Sequence, residues 1–297
     1  MGSSPCALLA AGNWQLTTDD RMRLHIEHET IFTYDKPVRE AVGEARLRPR
    51  DESGQELLSF RLLLDPPTPF DAIADRFGNR VHCYSVLPPH RRLLVTATSV
   101  VETSADPLVH SPPPTLLQRY DFTAASPYVP LTDDLRAFAH AHALAGEPEI
   151  VARSLMAAIY TSCVYEPGST DISTTADAVL AGRRGVCQDF AHLLIALCRS
   201  LRLPARYISG YLYDPQLPPE TILASHAWAE VYLAGRGWLG LDPTHDRATG
   251  PRYTRVAVGR DYADAAPVRG IYQGGAKEKL EVRVRMRAAE EPAPLAL

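Results

Sequence analysis

Gly185-Val186-Cys187-Gln188-Asp189-Phe190-Ala191-His192 places a cysteine in the first turn of a helix. The preceding Gly182-Arg183-Arg184-Gly185 is a poor helix former and reads as a tight loop. Beyond it, Phe190, Leu193, Leu194, Leu197 and Leu201 recur at helical spacing, a stripe that faces a core. A thiol in that first turn sits among free backbone N–H groups at the positive end of the helix dipole, which lowers its pKa. The same N–H groups suit a tetrahedral oxyanion. The competing reading is one more buried thiol, since free cysteine is often buried.

Two later segments favour the reactive reading. In Ser225-His226-Ala227-Trp228-Ala229-Glu230, His226, Trp228 and Glu230 alternate with small or apolar residues, the period of a strand. Trp238-Leu239-Gly240-Leu241-Asp242 is a second strand that stops at Pro243, and Ala234-Gly235-Arg236-Gly237 turns between them. Cysteine, histidine and aspartate in this order suggest a thiol nucleophile, its base and the group that orients the base. Taken singly, His226 reads equally as a hydrogen-bonded strand histidine and Asp242 as a turn carboxylate. Register decides whether they meet. A two-residue turn at Gly235-Arg236 pairs Ala229 with Asp242 and sends His226 to the opposite face. A three-residue loop, Ala234-Gly235-Arg236, pairs Trp228 with Asp242 and leaves His226 a same-face diagonal neighbour about 7–8 Å away at the backbone. The catalytic reading requires the odd loop.

The stretch GVCQDFAHLLIALCRSLRLPARYISGYL, followed by SHAWAEVYLAGRGWLGLDPTHD, resembles the core of the bacterial transglutaminase-like superfamily, a papain-like cysteine-enzyme fold. The likeness runs from about Thr174 to about Asp246. It implies Cys187 as nucleophile, His226 as base and Asp242 as orienting acid. Arg23 to about Thr103 is similar to the family's N-terminal β-rich region, and Arg255 to Tyr262 to its C-terminal extension. The family includes cross-linking transferases, peptidases, amidases and inactive copies. Papain-like proteases carry an oxyanion glutamine six residues before the nucleophile; Ala181 stands there in this chain, so a second oxyanion donor must come from elsewhere.

Composition agrees with a globular chain of one large or two ordinary domains: 45% hydrophobic and 22% charged residues. A formal charge of −4, with arginines scattered, argues against a nucleic-acid partner. No run of about 18 apolar residues suggests a membrane span. Cys6 to Ala11 is short and lacks a preceding positive charge, a weak signal peptide. Five cysteines without framework spacing fit reduced thiols, so a cytoplasmic location is expected.

The fold class expected is α+β: an N-terminal antiparallel β-sandwich-like domain, then a papain-like core whose nucleophile helix packs on an antiparallel sheet. Residues 1–22 read as a disordered extension. Residues 23–105 form the β domain, with strands at Leu24–Tyr34, Glu44–Arg50, Leu57–Leu64, Val81–Val86 and Leu93–Glu102. Residues 106–130, rich in proline, read as an extended linker. Residues 131–297 form the core with a C-terminal β extension. Thr132 caps its first helix, a second runs from Glu149 to Ser162, and Thr174 or Thr175 caps a third through Leu180. Strands follow at Ala205–Leu212, Ser225–Leu233, Trp238–Asp242 and Tyr253–Val258. Val268–Gly275 reads as a loop, Leu280–Met286 as a strand for an edge of either domain, and Glu290–Leu297 as frayed.

Three further residues are candidates for substrate or oxyanion contact. Gln188 either donates to an oxyanion or amide or is simply an exposed first-turn residue. Tyr165 lies in a loop that can line the site, or packs. Trp228 walls the site, or belongs to the core. Asp189 compensates the dipole, and His192, about 140° round the helix from Cys187, is structural. Asp261 and Tyr262 are weaker candidates for the cleft. Cys187, His192, Cys198 and His226 contain no CxxC or HxxxH unit, so no metal and no cofactor is expected. The function expected is a cysteine-dependent acyl-transfer enzyme on peptide, protein or amide substrates, as a protease- or amidase-like hydrolase. The alternatives are a protein-glutamine cross-linking transglutaminase and a non-catalytic binding module that retains the fold.

Overall fold

The computed structural model describes residues 21–106 and 108–288. The extension expected over 1–22 lies outside the described residues, except Arg21 and Met22, which begin a strand; the end expected to fray from Glu290 lies outside them as well.

Leu24, Ile26, His28 and Thr30 are buried and alternate with half-buried residues, so one face of β1 (Arg21–Ala45) lies on a core. β2 (Gln55–Asp65), β3 (Phe70–Ala74), β4 (Arg80–Val86) and β5 (His90–Ser104) follow it. β1 belongs to two layers. Residues 21–33 pair with β5, which pairs with β2; residues 41–45 pair with β4, which pairs with β3. Between the layers lies a core of Phe32, Val38, Leu47, Leu62, Leu64, Tyr84, Val86, Leu93 and Val95. Gly43 is required there, because a Cβ would stand 2.4 Å from the Tyr84 ring. The expected strand at Glu44–Arg50 is the tail of β1, which stops at Ala45; the backbone N–H of Arg46 turns to the carbonyl of Pro267 and that of Arg50 to the carbonyl of Arg255.

The proline-rich segment is more ordered than a linker. β6 (Leu108–Val109) pairs with a later strand, and α1 (Leu116–Asp121) starts just after Pro112–Pro114 with a reciprocal Thr115–Gln118 capping box. Phe122 and Val129 are buried. Next come α2 (Asp133–His142), capped by Thr132, and α3 (Pro148–Ser162). After them lie β7 (Val164–Tyr165), α4 (Ala176–Gly182) and β8 (Arg184–Gly185). α5 (Cys187–Ser200) is buried from Asp189 to Arg199, between α2, α3 and α4 on one side and two strands on the other. Those strands are β9 (Ala205–Leu212) and β10 (His226–Leu233); β11 (Gly237–Asp242), β12 (Arg247–Ala248) and β13 (Tyr253–Gly259) complete an antiparallel sheet ordered β12-β11-β10-β9-β13, with β6 on β11. Buried Arg199 holds the C-terminal end of α5, donating to the carbonyls of Ala124, Ala205 and Arg260 at 2.6–3.2 Å. No helix among the described residues is long and apolar enough to cross a membrane.

After the short α6 (Tyr262–Ala265), the chain returns to the first unit. β14 (Val268–Gln273) pairs with β1 at residues 39–45, and β15 (Glu278–Ala288) pairs with it at residues 24–34. Both layers thereby gain a fourth strand. Val268–Gln273, read as a loop, is a strand because Gly270 lies flat against β1, where a Cβ would meet the Val42 carbonyl at 2.7 Å.

The two units are joined through β13. Among the described residues its outer edge has no strand partner at Arg255 and Val258, and two side-chain amides take that place. Gln55 accepts from Arg255 N–H (2.7 Å) and donates to its carbonyl (2.8 Å). Asn79 does the same at Val258, at 2.8 and 2.7 Å. Leu24, Ile26 and Val101 pack there on Tyr211, Val256 and Val284. Asn79→Ala strips both Val258 groups of their partner in a buried place, and a destabilisation of about 2–4 kcal/mol is expected by chemical denaturation. A change below about 0.5 kcal/mol, the size of an ordinary surface substitution, would show that the clamp carries no load.

Candidate active site

The geometry starts with the loop before α5. β7 and β8 pair in parallel, Tyr165 opposite Gly185, and this fixes the chain two residues before Cys187. Asp189 then closes the first turn of α5. Its Oδ2 accepts from Val186 N–H (2.8 Å) and from the Thr170 hydroxyl (2.6 Å). Gly185 has to be glycine, since a Cβ would approach the Asp189 Cβ to 2.7 Å. Burial holds the Asp189 carboxyl above its usual range, opposed by the bonds from Thr170 and Val186. Cys187, half-buried, is the first helical residue, where backbone N–H groups lack intrahelical partners.

β10 and β11 carry the other two groups. Leu233 pairs with Gly237, so the loop has the three residues that the catalytic reading required. His226 Nε2 and Asp242 Oδ2 lie 2.8 Å apart. Asp242 is fully buried. As a carboxylate it can only accept, so Nε2 carries the proton and Nδ1 is the ring nitrogen left for Cys187. Burial alone would push the His226 imidazole down. The charge and hydrogen bond of Asp242, then those of Cys187, raise it to about 10. Asp242 itself is held well below the usual carboxylate range: burial opposes this, and the charge of His226 and the bonds from His226 and His245 outweigh it.

His226 bonds Asp242 directly, and Cys187 stands close enough to the ring to raise its pKa. Gln188 is half-buried beside Cys187, and the Tyr165 ring packs edge-on to Phe190, 6.2 Å away. Trp228 is fully buried, its ring 6.1 Å from that of His226 and edge-on to Tyr253. His192 is buried between the rings of Tyr128 and Tyr207 and accepts from Tyr262 N–H; burial pushes it down to about 3, so it is neutral. Asp261 is buried and caps α6.

Three residues near the site were not singled out from the sequence. His245 Nδ1 and the Tyr253 hydroxyl each donate to Asp242 Oδ2 at 2.8 Å. Burial first, then the neighbouring Cys187, holds the Tyr207 phenol well above its usual value, so it stays protonated. For His245 a faint signal exists, a second histidine directly after the Asp242-Pro243-Thr244 turn. Tyr253 and Tyr207 reach the site only through sheet pairing. His226, Asp242 and His245 also offer three ligand-type atoms within 4.8 Å of one another. The same atoms stand at 2.8 Å across Oδ2, the spacing of a shared proton.

The histidines set opposite pH slopes. His226 has a raised folded value, so its contribution to stability is complete below about pH 6.5 and is lost as pH rises toward about 10. His28 and His192, lowered by burial to about 4 and about 3, contribute above pH 6.5 and lose it as pH falls. Asp242, with a depressed value, also loses its contribution at low pH. Denaturation midpoints are expected to peak near pH 6.5. His226→Gln should flatten the alkaline side, while the acid-side loss that comes from His28 and His192 remains; an unchanged alkaline slope would refute the ion pair.

Known proteins share this arrangement of chain. Residues 136–243 match a family model described as the transglutaminase-like superfamily, and residues 24–102 match one described as the bacterial transglutaminase-like N-terminal region. An uncharacterized protein of Mycobacterium tuberculosis is 38% identical over 289 residues, spanning 88% of this chain and 91% of that protein. The solved structure of a candidate cysteine protease from Cytophaga hutchinsonii superposes with a TM-score of 0.74 at 25% identity, covering 92% of each chain. A protein-glutamine gamma-glutamyltransferase of Pseudomonas aeruginosa is 30% identical over 126 residues, 40% of this chain but 18% of that protein. With a family model on each half and a relative matched over nearly its full length, the chain belongs to the transglutaminase-like superfamily.

Proposed function

We propose that the protein is a cysteine-dependent acyl-transfer enzyme that cleaves peptide or carboxamide bonds through Cys187, His226 and Asp242. The observation that carries this reading is the His226 imidazole, bound through Nε2 to a buried carboxylate at 2.8 Å and raised further by Cys187 beside it. The Cys187 thiolate attacks the carbonyl carbon, and the oxyanion meets first-turn N–H groups. His226 gives its Nδ1 proton to the amine as the C–N bond breaks, leaving a thioester on Cys187. Water then attacks the thioester, His226 takes its proton, and the acid leaves with the thiolate restored. The Cytophaga likeness supports hydrolysis. The Pseudomonas likeness supports the alternative, in which an amine replaces water; that requires a pocket that orients the amine against water at about 55 M.

Thiol chemistry provides the first test. Burial raises the thiols of Cys163 and Cys198, the latter to about 12, so neither competes at low pH. Iodoacetamide near pH 6 is expected to label Cys187 ahead of Cys83, Cys163 and Cys198, and His226→Ala to move that labelling to higher pH. Equal labelling of the four would refute the thiolate and favour a non-catalytic module. A glutamine- and peptide-bearing library, read by mass spectrometry with and without excess primary amine, separates the two outcomes. Hydrolysis products absent from Cys187→Ala, and reduced about a hundredfold or more in His226→Ala, are expected. Amine-dependent products with little hydrolysis would assign the protein to cross-linking.

A further inference from the structure

Asp242 receives more donors on one oxygen than an orienting acid requires. Oδ2 accepts from His226 Nε2, His245 Nδ1 and the Tyr253 hydroxyl, each at 2.8 Å, whereas among the described residues Oδ1 accepts only from Thr244 N–H at 2.9 Å. A carboxylate oxygen offers about two lone pairs, so three donors on Oδ2 divide its basicity among them. The Thr244 contact already closes the turn after β11, as an aspartate before a turn ordinarily does. The His245 side chain adds nothing that the turn needs. Its ring centroid is 5.5 Å from that of His226, and its side chain is 14% exposed.

The groups around this oxygen come from five elements. His226 comes from β10, with Cys187 of α5 on its far side; His245 follows β11; Tyr253 stands on β13; and Arg247 of β12 donates to the Tyr253 hydroxyl at 2.9 Å. The three side chains that bond this oxygen are all donors. A histidine bound to an unshared buried carboxylate is a strong base and a reluctant acid, yet the reaction needs it to return its proton to a leaving amine.

We propose that His245 is a positioning residue that shares Oδ2 of Asp242 with His226, loosening the carboxylate's hold on the imidazolium so that Nδ1 can release its proton. This rests on the Cys187–His226–Asp242 reading above. The sharing is a hydrogen-bond effect and does not depend on a charge on His245. An asparagine amide nitrogen stands one bond beyond Cγ, as Nδ1 does, and can take over the bond. Phenylalanine keeps the ring volume and removes the donor.

The experiment is a pH titration of ring-labelled histidines by nuclear magnetic resonance, with His226 assigned from His226→Gln. In the wild type, the His226 midpoint is expected far above 6.5. His245→Phe should raise it further, by about one pH unit, because one of three donors is withdrawn from the carboxylate. His245→Asn should stay within a few tenths of a unit of the wild type, by the same measure. Tyr253→Phe, which removes another donor without touching the turn, should shift it in the same direction as His245→Phe and serves where that variant folds poorly. An unmoved midpoint in both phenylalanine variants overturns the inference, and so does an asparagine variant that tracks His245→Phe. A wild-type His226 that titrates at its ordinary value, unaffected by Cys187→Ala, overturns the parent reading instead.

Discussion

A carboxylate without exposed surface governs the second half of this molecule. Leaving Asp242 unpaired in the interior would cost several kcal/mol, so every segment near it must bring a donor. β10 brings His226, the turn after β11 brings Thr244 and His245, and β13 brings Tyr253. These contacts fix the phase of three strands at once. A slip of one residue in β10 would carry His226 to the other face and leave the charge short of a partner. Gly210, opposite His226, allows the crowding: a Cβ there would strike the Trp228 ring at 2.6 Å, and Trp228 backs both His226 and Tyr253.

The thiol arrives from a different layer, so the sheet and the helix must be set against each other rigidly. α5 achieves this by burying nearly its whole circumference, with Leu193, Leu194, Ile195 and Leu197 each fully enclosed. Each such side chain contributes about 1.5–3 kcal/mol relative to exposure. Arg199 ties one end of the helix to the carbonyls of Ala124, Ala205 and Arg260, and Asp189 fastens the other end to the Thr170 segment. The first unit then braces β13 from outside through Gln55 and Asn79, so the strand that presents Tyr253 has both edges held.

Much of this was legible in the sequence, for reasons that can be named. The helical stripe from Phe190 to Leu201 placed α5, and alternation around His226 and Trp238 placed β10 and β11. The glycine pair in Ala234-Gly235-Arg236-Gly237 made an odd loop available, and Gly235 and Gly237 both adopt the positive φ that glycine tolerates. What escaped was set by distant partners. β14 looked like a loop because Gly270 has no propensity for a strand until β1 lies against it. The segment after Asp106 looked like a linker because prolines masked the Thr115 cap. His245, Tyr253 and Tyr207 showed no motif of their own; their meaning depends on which strands become neighbours.

The path of β1 has a consequence for how the molecule is made. This strand sits between β5 and β15 along its first half and between β4 and β14 along its second, yet β14 and β15 come from the far end of the described chain. During synthesis, β1 emerges from the ribosome long before those partners exist, and for that interval a full strand edge of the first unit has nothing to pair with. The second unit is translated in between, complete from β6 to β13. The pairing implies a nested order of assembly, with the second unit closing first and the outer sandwich sealing around its own beginning last. A nascent chain halted before Val268 would display the β1 edge to its neighbours, the kind of unpaired strand edge that templates misassociation.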